Sequence, residues 1–240
     1  LVQSAERKAD ADASAAVLNA RLEELMSKSA FTGRGILKAD LSGPETGTGL
    51  FFVPAAFQRN KAYSNRLFLT ACAMATARRN GEESALIYAN YHGRDSFLKS
   101  DSVSCYVPPV PILLDCRKGR SAEEMMNDVR DQFDFGAAHC DCAHILENSD
   151  ILQNTVMFNY RNGTMNIGRF AGLCNNVYLC PKPANQPNCL VIAGIVGRPG
   201  SDDLSFYCTY PKGVYSEEAI RRFYADFTAA VRKLTGKESL

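Results

Sequence analysis

Hydrophobic positions along this chain follow two periods, and the switches between them mark out its elements. In "SAAVLNARLEELMSKSA", Val17 and Leu18, Leu22, and Leu25 and Met26 recur at three- and four-residue steps. One apolar stripe with charged flanks predicts an amphipathic helix over about 5–28. "YSNRLFLTACAMATARRNGEE" predicts a second helix, with Ser64 or Asn65 as cap, arginines in the last turn and Gly81 as stop. It is apolar on most faces, so it should be buried. "SAEEMMNDVRDQFDFG" predicts a third, capped by Ser121, with Glu123 and Glu124 in the first turn and Met126, Val129 and Phe133 facing inward. A last helix starts at the cap Ser216, and Ile220, Phe223, Phe227, Val231 and Leu234 line one side of it.

Period-2 and fully apolar runs lie between these helices. "TGLFFV", "ALIYANY", "SCYVPPVPILLDC", "TVMFNY", "CLVIAGIVG" and "LSFYCTY" are rich in β-branched and aromatic residues and predict strands. The last two read as a hairpin across "GRPGSDD", where Pro199-Gly200 is a turn signal. Pro108, Pro109 and Pro111 lack a backbone donor, which predicts an edge position or a bulge for their strand. Helices interleave with strands early and antiparallel strands cluster later. That order predicts a mixed α/β sandwich, one sheet with helices packed on it. Residues 1–30 read as an N-terminal helical segment and 31–240 as the sheet-bearing lobe.

Composition narrows the function classes. The 27 basic and 26 acidic side chains nearly cancel, which leaves no footprint for nucleic acid. No apolar run reaches the length of a membrane span, about 18 residues. Nine cysteines is an odd number, and several sit in apolar runs such as "LTACAMA", so reduced thiols and a cytoplasmic protein are expected. Phosphate-binding glycine loops, H-E-x-x-H and G-x-S-x-G are all absent from the sequence.

The densest chemistry is "AAHCDCAHILE", residues 137–147, with two of the three histidines, two cysteines and an aspartate. Cys140 and His144 could share a helical face, but no second pair with metal-ligand spacing occurs. A reactive Cys–His pair is the other chemical reading, and a structural stretch is the favoured one. His92 stands alone in "YANYHGRDS", where adjacency in sequence does not make a triad.

The order of these segments resembles the C-terminal half of nonribosomal peptide synthetase condensation domains, in the chloramphenicol acetyltransferase-like superfamily. A strand ends in Gly93-Arg94. "VSCYVPPVPIL" at 103–113 is similar to I-G-x-F-V-N-T-x-P-x-R, with Pro108 where the family has asparagine. "HCDCAHI" from His139 through Asp141 to Ile145 is similar to H-Q-D-x-P-F-E, and "VMFNYRN" at 156–162 to V-x-F-x-Y-Q-N. The resemblance runs over about 15–236, and order and spacing carry it, because the single motifs are degenerate.

The resemblance implies one C-terminal lobe of an enzyme that forms amide bonds between carrier-bound acyl and aminoacyl groups. Tyr106, Pro108, Asn159 and Tyr160 would border the substrate channel, and Gly93, Arg94, His139 and Asp141 would be structural. The family's catalytic H-H-x-x-x-D-G belongs to the N-terminal lobe and occurs nowhere in this sequence. No catalytic residue and no metal ligand is therefore assigned, and the isolated chain is expected to be inactive. The implied partners are peptidyl or acyl carrier protein domains, whose phosphopantetheine arms supply the only cofactor, and the N-terminal lobe. A lobe of an acyl-CoA-dependent acyltransferase and a non-catalytic assembly domain stand as alternatives.

Overall fold

Three of the four described helices begin on serines that fold back on the first turn. The computed structural model describes residues 2–28, 39–41, 47–58, 64–91, 109–139, 156–161, 190–196 and 203–236. Its elements are α1 (Val2–Lys28), β1 (Thr48–Gln58), α2 (Asn65–Asn80), β2 (Ser84–Asn90), β3 (Pro109–Asp115), α3 (Ala122–Ala138), β4 (Val156–Arg161), β5 (Leu190–Val196), β6 (Asp203–Pro211) and α4 (Glu217–Leu234).

Ser64, rather than Asn65, caps α2 and accepts from the Leu67 N–H at 3.2 Å. Gly81 ends α2 in the left-handed region at φ 71°, where a side chain would be strained. Ser121 and Glu124 form a reciprocal capping box at the start of α3. Ser216 caps α4 by accepting from the Ala219 N–H at 3.0 Å. The Asp40 carboxylate in turn accepts from the Ser216 N–H at 2.9 Å and from its hydroxyl, tying residues 39–41 to that helix start.

The six described strands form one mixed sheet in the order β1-β6-β5-β4-β2-β3. β5 and β6 pair antiparallel as the expected hairpin, while β2, β4 and β5 run parallel to one another. β3 lies at the border, as its prolines require. β1 is longer than "TGLFFV" and continues to Gln58 past a register shift between Val53 and Phe57.

Alternation along β2, β3, β4 and β6 sends every second side chain into the main core beneath α2, α3 and α4. Ile87 and Ala89 of β2, Val110, Ile112 and Leu114 of β3, Val156 and Phe158 of β4, and Leu204, Phe206 and Cys208 of β6 all join it. Phe57, Phe68, Phe206 and Phe227 form its centre, with Phe68 to Phe206 at 5.1 Å and Phe206 to Phe227 at 5.2 Å between ring centroids. The α4 stripe of Ile220, Phe223, Phe227, Val231 and Leu234 is buried as its spacing predicts, and α2 is buried on most faces.

Two expected contacts move. In α3 the deepest positions are Met125, Val129 and Gly136, and Met126 only flanks the core. The stripe steps back from Val129 by four residues rather than three, and α3 crosses close over β3. At Gly136 an added Cβ would stand 2.3 Å from Val110 Cγ1, so glycine sets that approach. In α1, Leu18 is buried with Leu86, Tyr88 and Leu113 on the sheet's second face, and Leu22, Leu25 and Met26 pack beside it. Val17 instead is 45% exposed, rotated off the stripe.

Candidate functional site

The second face of the sheet is divided. Over β2 and β3 it is covered by α1. Across β4, β6 and β1 the same face carries half-buried Met157, Asn159, Ser205, Tyr207 and Thr209. Leu50 and Phe52 of β1, each 50% exposed, extend it to the border. The register lines up these positions: Phe52 lies opposite Tyr207, Tyr207 opposite Ala193, and Ala193 opposite Asn159. Hydroxyl, amide and apolar groups therefore alternate across a broad wall. Such a wall can bind and orient a substrate or a second protein surface.

Of the sequence-predicted channel residues, Asn159 is on this face and half-buried. Tyr160 follows it on β4, opposite Gly194. Tyr106, Pro108, Gly93, Arg94 and Asp141 lie outside the described residues. His139 is placed at the end of α3, where its N–H donates to Gly136 O at 3.1 Å. Its Nδ1 is 2.8 Å from Phe135 O, and its ring lies 4.4 Å from that of Phe135. The imidazole thus braces the helix terminus.

A second concavity of about 350 Å³ opens between α1, β3 and α3. Its charges are spent on one another. Arg117 forms a bidentate pair with Asp115, at 3.0 and 2.9 Å from Nε, and Arg120 reaches Asp128 at 2.6 Å. Arg21 meets Glu24 at 2.5 Å, and Lys28 closes on the same carboxylate. Partial burial works against ionising Asp115, but the Arg117 hydrogen bonds and the charges of Arg117 and Arg120 outweigh it and hold the carboxyl below its ordinary range.

The thiols give no nucleophile among the described residues. Burial pushes Cys72 and Cys208 well up, and burial with the neighbouring Asp115 charge takes Cys116 up to about 12. All three are free thiols in or beside the core, as the apolar runs around them suggest. Among the described residues no group of three His, Cys, Asp or Glu side chains is arranged to hold a metal. No described helix is long and apolar enough to cross a membrane.

No protein-family model and no curated protein matches this sequence. Solved structures match it closely in shape. The starter condensation domain of rhizomide synthetase superposes with a TM-score of 0.65 at 15% identity, over 98% of this chain and 55% of that one. The epimerization domain from the third module of tyrocidine synthetase B gives 0.62 at 15% identity, over 98% and 58%. The acyl transferase PapA2 gives 0.66 at 11% identity, over 96% and 55%. The chain shares the fold of these condensation, epimerization and acyl transferase structures over the part of them that it matches. It spans 55–58% of the length of these three structures.

Within that fold, sequence reading passed over three positions. Leu50 and Phe52 lie in "TGLFFV", which shows no polar alternation to mark an exposed face. Nothing in "LSFYCTY" singles out Tyr207, and only its register with Phe52 and Ala193 puts it on the second face.

Proposed function

We propose that this chain is the C-terminal lobe of a condensation-type enzyme that joins an acyl group on one carrier protein to an amine on another. The observation that carries the reading is the half-covered sheet. Three helices back one face, α1 screens β2 and β3 on the other, and no other described element covers the rest, in a fold matched over 98% of the chain to a condensation domain. In this reading the open face, with Asn159 and Tyr207, builds one wall of the channel between two lobes. Tyr106 and Pro108 complete its border, while Gly93, Arg94, His139 and Asp141 keep the lobe in shape.

The chemistry is divided between lobes. The amine attacks the carbonyl of the carrier thioester, the new C–N bond replaces the C–S bond, and the thiol of the donor's pantetheine arm leaves with a proton. A histidine of the N-terminal lobe would position or deprotonate the amine. This lobe orients the two arms and excludes water. It binds no cofactor itself, because phosphopantetheine arrives on the carriers, and the reaction belongs to the cytoplasm.

The test combines the chain with acyl-loaded and aminoacyl-loaded carrier proteins, with and without a lobe bearing H-H-x-x-x-D-G. Intact-protein mass spectrometry should detect the longer acyl chain on the acceptor carrier only when both lobes are present. The fold is shared with an acyl transferase, so a parallel reaction replaces the donor carrier with acyl-CoA. Transfer from acyl-CoA to a free alcohol or amine, with the carriers ignored, would overturn the carrier-dependent reading.

A further inference from the structure

The two borders of the sheet are built differently. In β3 the Cys116 N–H donates to Glu83 O at 2.7 Å, so the even-numbered residues bond β2 and residues 109, 111, 113 and 115 face outward. Pro109 and Pro111 have no N–H to offer. Both backbone groups of Leu113 are taken by the Gln132 side chain, and Asp115 O accepts from Arg120 Nη1 at 3.1 Å. This border is closed to another strand.

At β1 the Lys212 N–H donates to Gly47 O at 3.1 Å, so the odd-numbered residues bond β6 and Thr48, Leu50 and Phe52 face outward. The outward N–H and C=O groups of these three meet no partner among the described residues. Their segment, "TGLFFV", carries no charge, and the half-exposed Leu50 and Phe52 flank the free edge. The protections that β3 has are missing here until Pro54 and the register shift before Phe57.

We infer that β1 is a pairing edge on which a second copy of this chain adds its own β1, antiparallel, to join two sheets into one. The occupant follows from the two borders together. An antiparallel strand is complementary to itself: with Leu50 opposite Leu50, Thr48 of each copy falls opposite Phe52 of the other, and all outward groups are met. That arrangement is isologous and closes at two copies. Stacking β1 on the β3 border of another copy would give open fibres, and β3 excludes it. The inference stands on edge geometry alone and does not depend on the proposed function.

Analytical ultracentrifugation of the whole chain over a concentration series should resolve a monomer–dimer equilibrium. Leu50→Pro removes one outward donor per copy and Phe52→Lys adds an edge charge; each should raise the dissociation constant roughly tenfold or more. Circular dichroism checks that both variants stay folded. Leu50→Cys, oxidised, should link two copies, because hydrogen-bonded antiparallel partners lie about 5.5 Å apart between Cα atoms, within disulfide reach. The oxidised parent chain is its control, and this arm decides the matter if either other variant fails to fold. A monomer at every concentration overturns the inference, and so does a dimer that both substitutions leave intact. A dimer broken by Asn159→Arg but indifferent to Leu50→Pro would move the contact to the open face and overturn it as well.

Discussion

Gln132 pairs with Leu113 as if it were a neighbouring strand. The Leu113 N–H donates to Gln132 Oε1 at 2.8 Å, and Gln132 Nε2 donates to Leu113 O at 2.8 Å. One primary amide, carried by α3, so satisfies two backbone groups on a sheet border. Gln132→Ala leaves both unmet in a partly buried setting and should cost about 1–3 kcal/mol. Urea unfolding measures the loss. A Gln132→Ala chain as stable as its parent would mean that water meets both groups equally well.

Gly136 separates helix propensity from packing. Glycine inside a helix is worse than alanine by about 1 kcal/mol, so propensity alone favours Gly136→Ala. The methyl would stand 2.3 Å from Val110 Cγ1, and overpacking of that kind costs about 1–3 kcal/mol. A net destabilisation is expected, and Val110→Ala in the same chain should relieve part of it. Thermal melts of the two single variants and the double variant give the coupling.

Phe227 joins α4 to α2 through Phe68 and to the sheet through Phe206, and it is fully buried. Phe227→Ala should cost about 3–5 kcal/mol and lower the unfolding midpoint accordingly. Phe52→Ala is the comparison at the half-exposed border. Its effect on the folding stability of the monomer should be far smaller, and similar losses from both would contradict the assigned burial.

Asp115 gives the acid limb of stability a sign. Its folded carboxyl titrates below the ordinary value, so the stabilisation is fully present above the unfolded pKa, about 3.9, and drains away as pH falls through the folded one. Asp115→Asn should therefore lower stability near neutral pH and flatten the decline below about pH 4. The buried thiols act at the other end. Cys72 and Cys208 are held neutral in the fold, so their contribution is present below the unfolded thiol pKa, about 8.5, and is lost as pH rises further. Denaturation midpoints measured across both limbs test the two signs.

The chain alone should form no amide between carrier-bound groups, since no H-H-x-x-x-D-G string occurs in its 240 residues. Single-turnover assays followed by mass spectrometry should return both carriers unchanged. Turnover that survives stringent repurification would place an active centre within these residues. His139→Ala and Cys140→Ala would then be the first substitutions to examine.

Local periodicity determined much of this molecule. The caps Ser64, Ser121 and Ser216, the stop at Gly81, the α4 stripe and the β5–β6 hairpin all follow from signals a few residues long. Such signals reflect how a backbone meets its own neighbours, so sequence carries them directly. The prolines of β3 likewise foretold a border, because a missing donor is a property of the residue itself. Strand order, the division of the second face and the partner of Gln132 were decided by tertiary structure. The apolar run at Leu50 and Phe52 reads the same whether one face or two are covered, and only the place of β1 at the border exposes it. Met125 rather than Met126 turns inward, and Gly136 lets α3 settle close to Val110, a contact between residues 26 apart. Register and closeness of approach arise from many distant contacts at once, and no short window of sequence contains them.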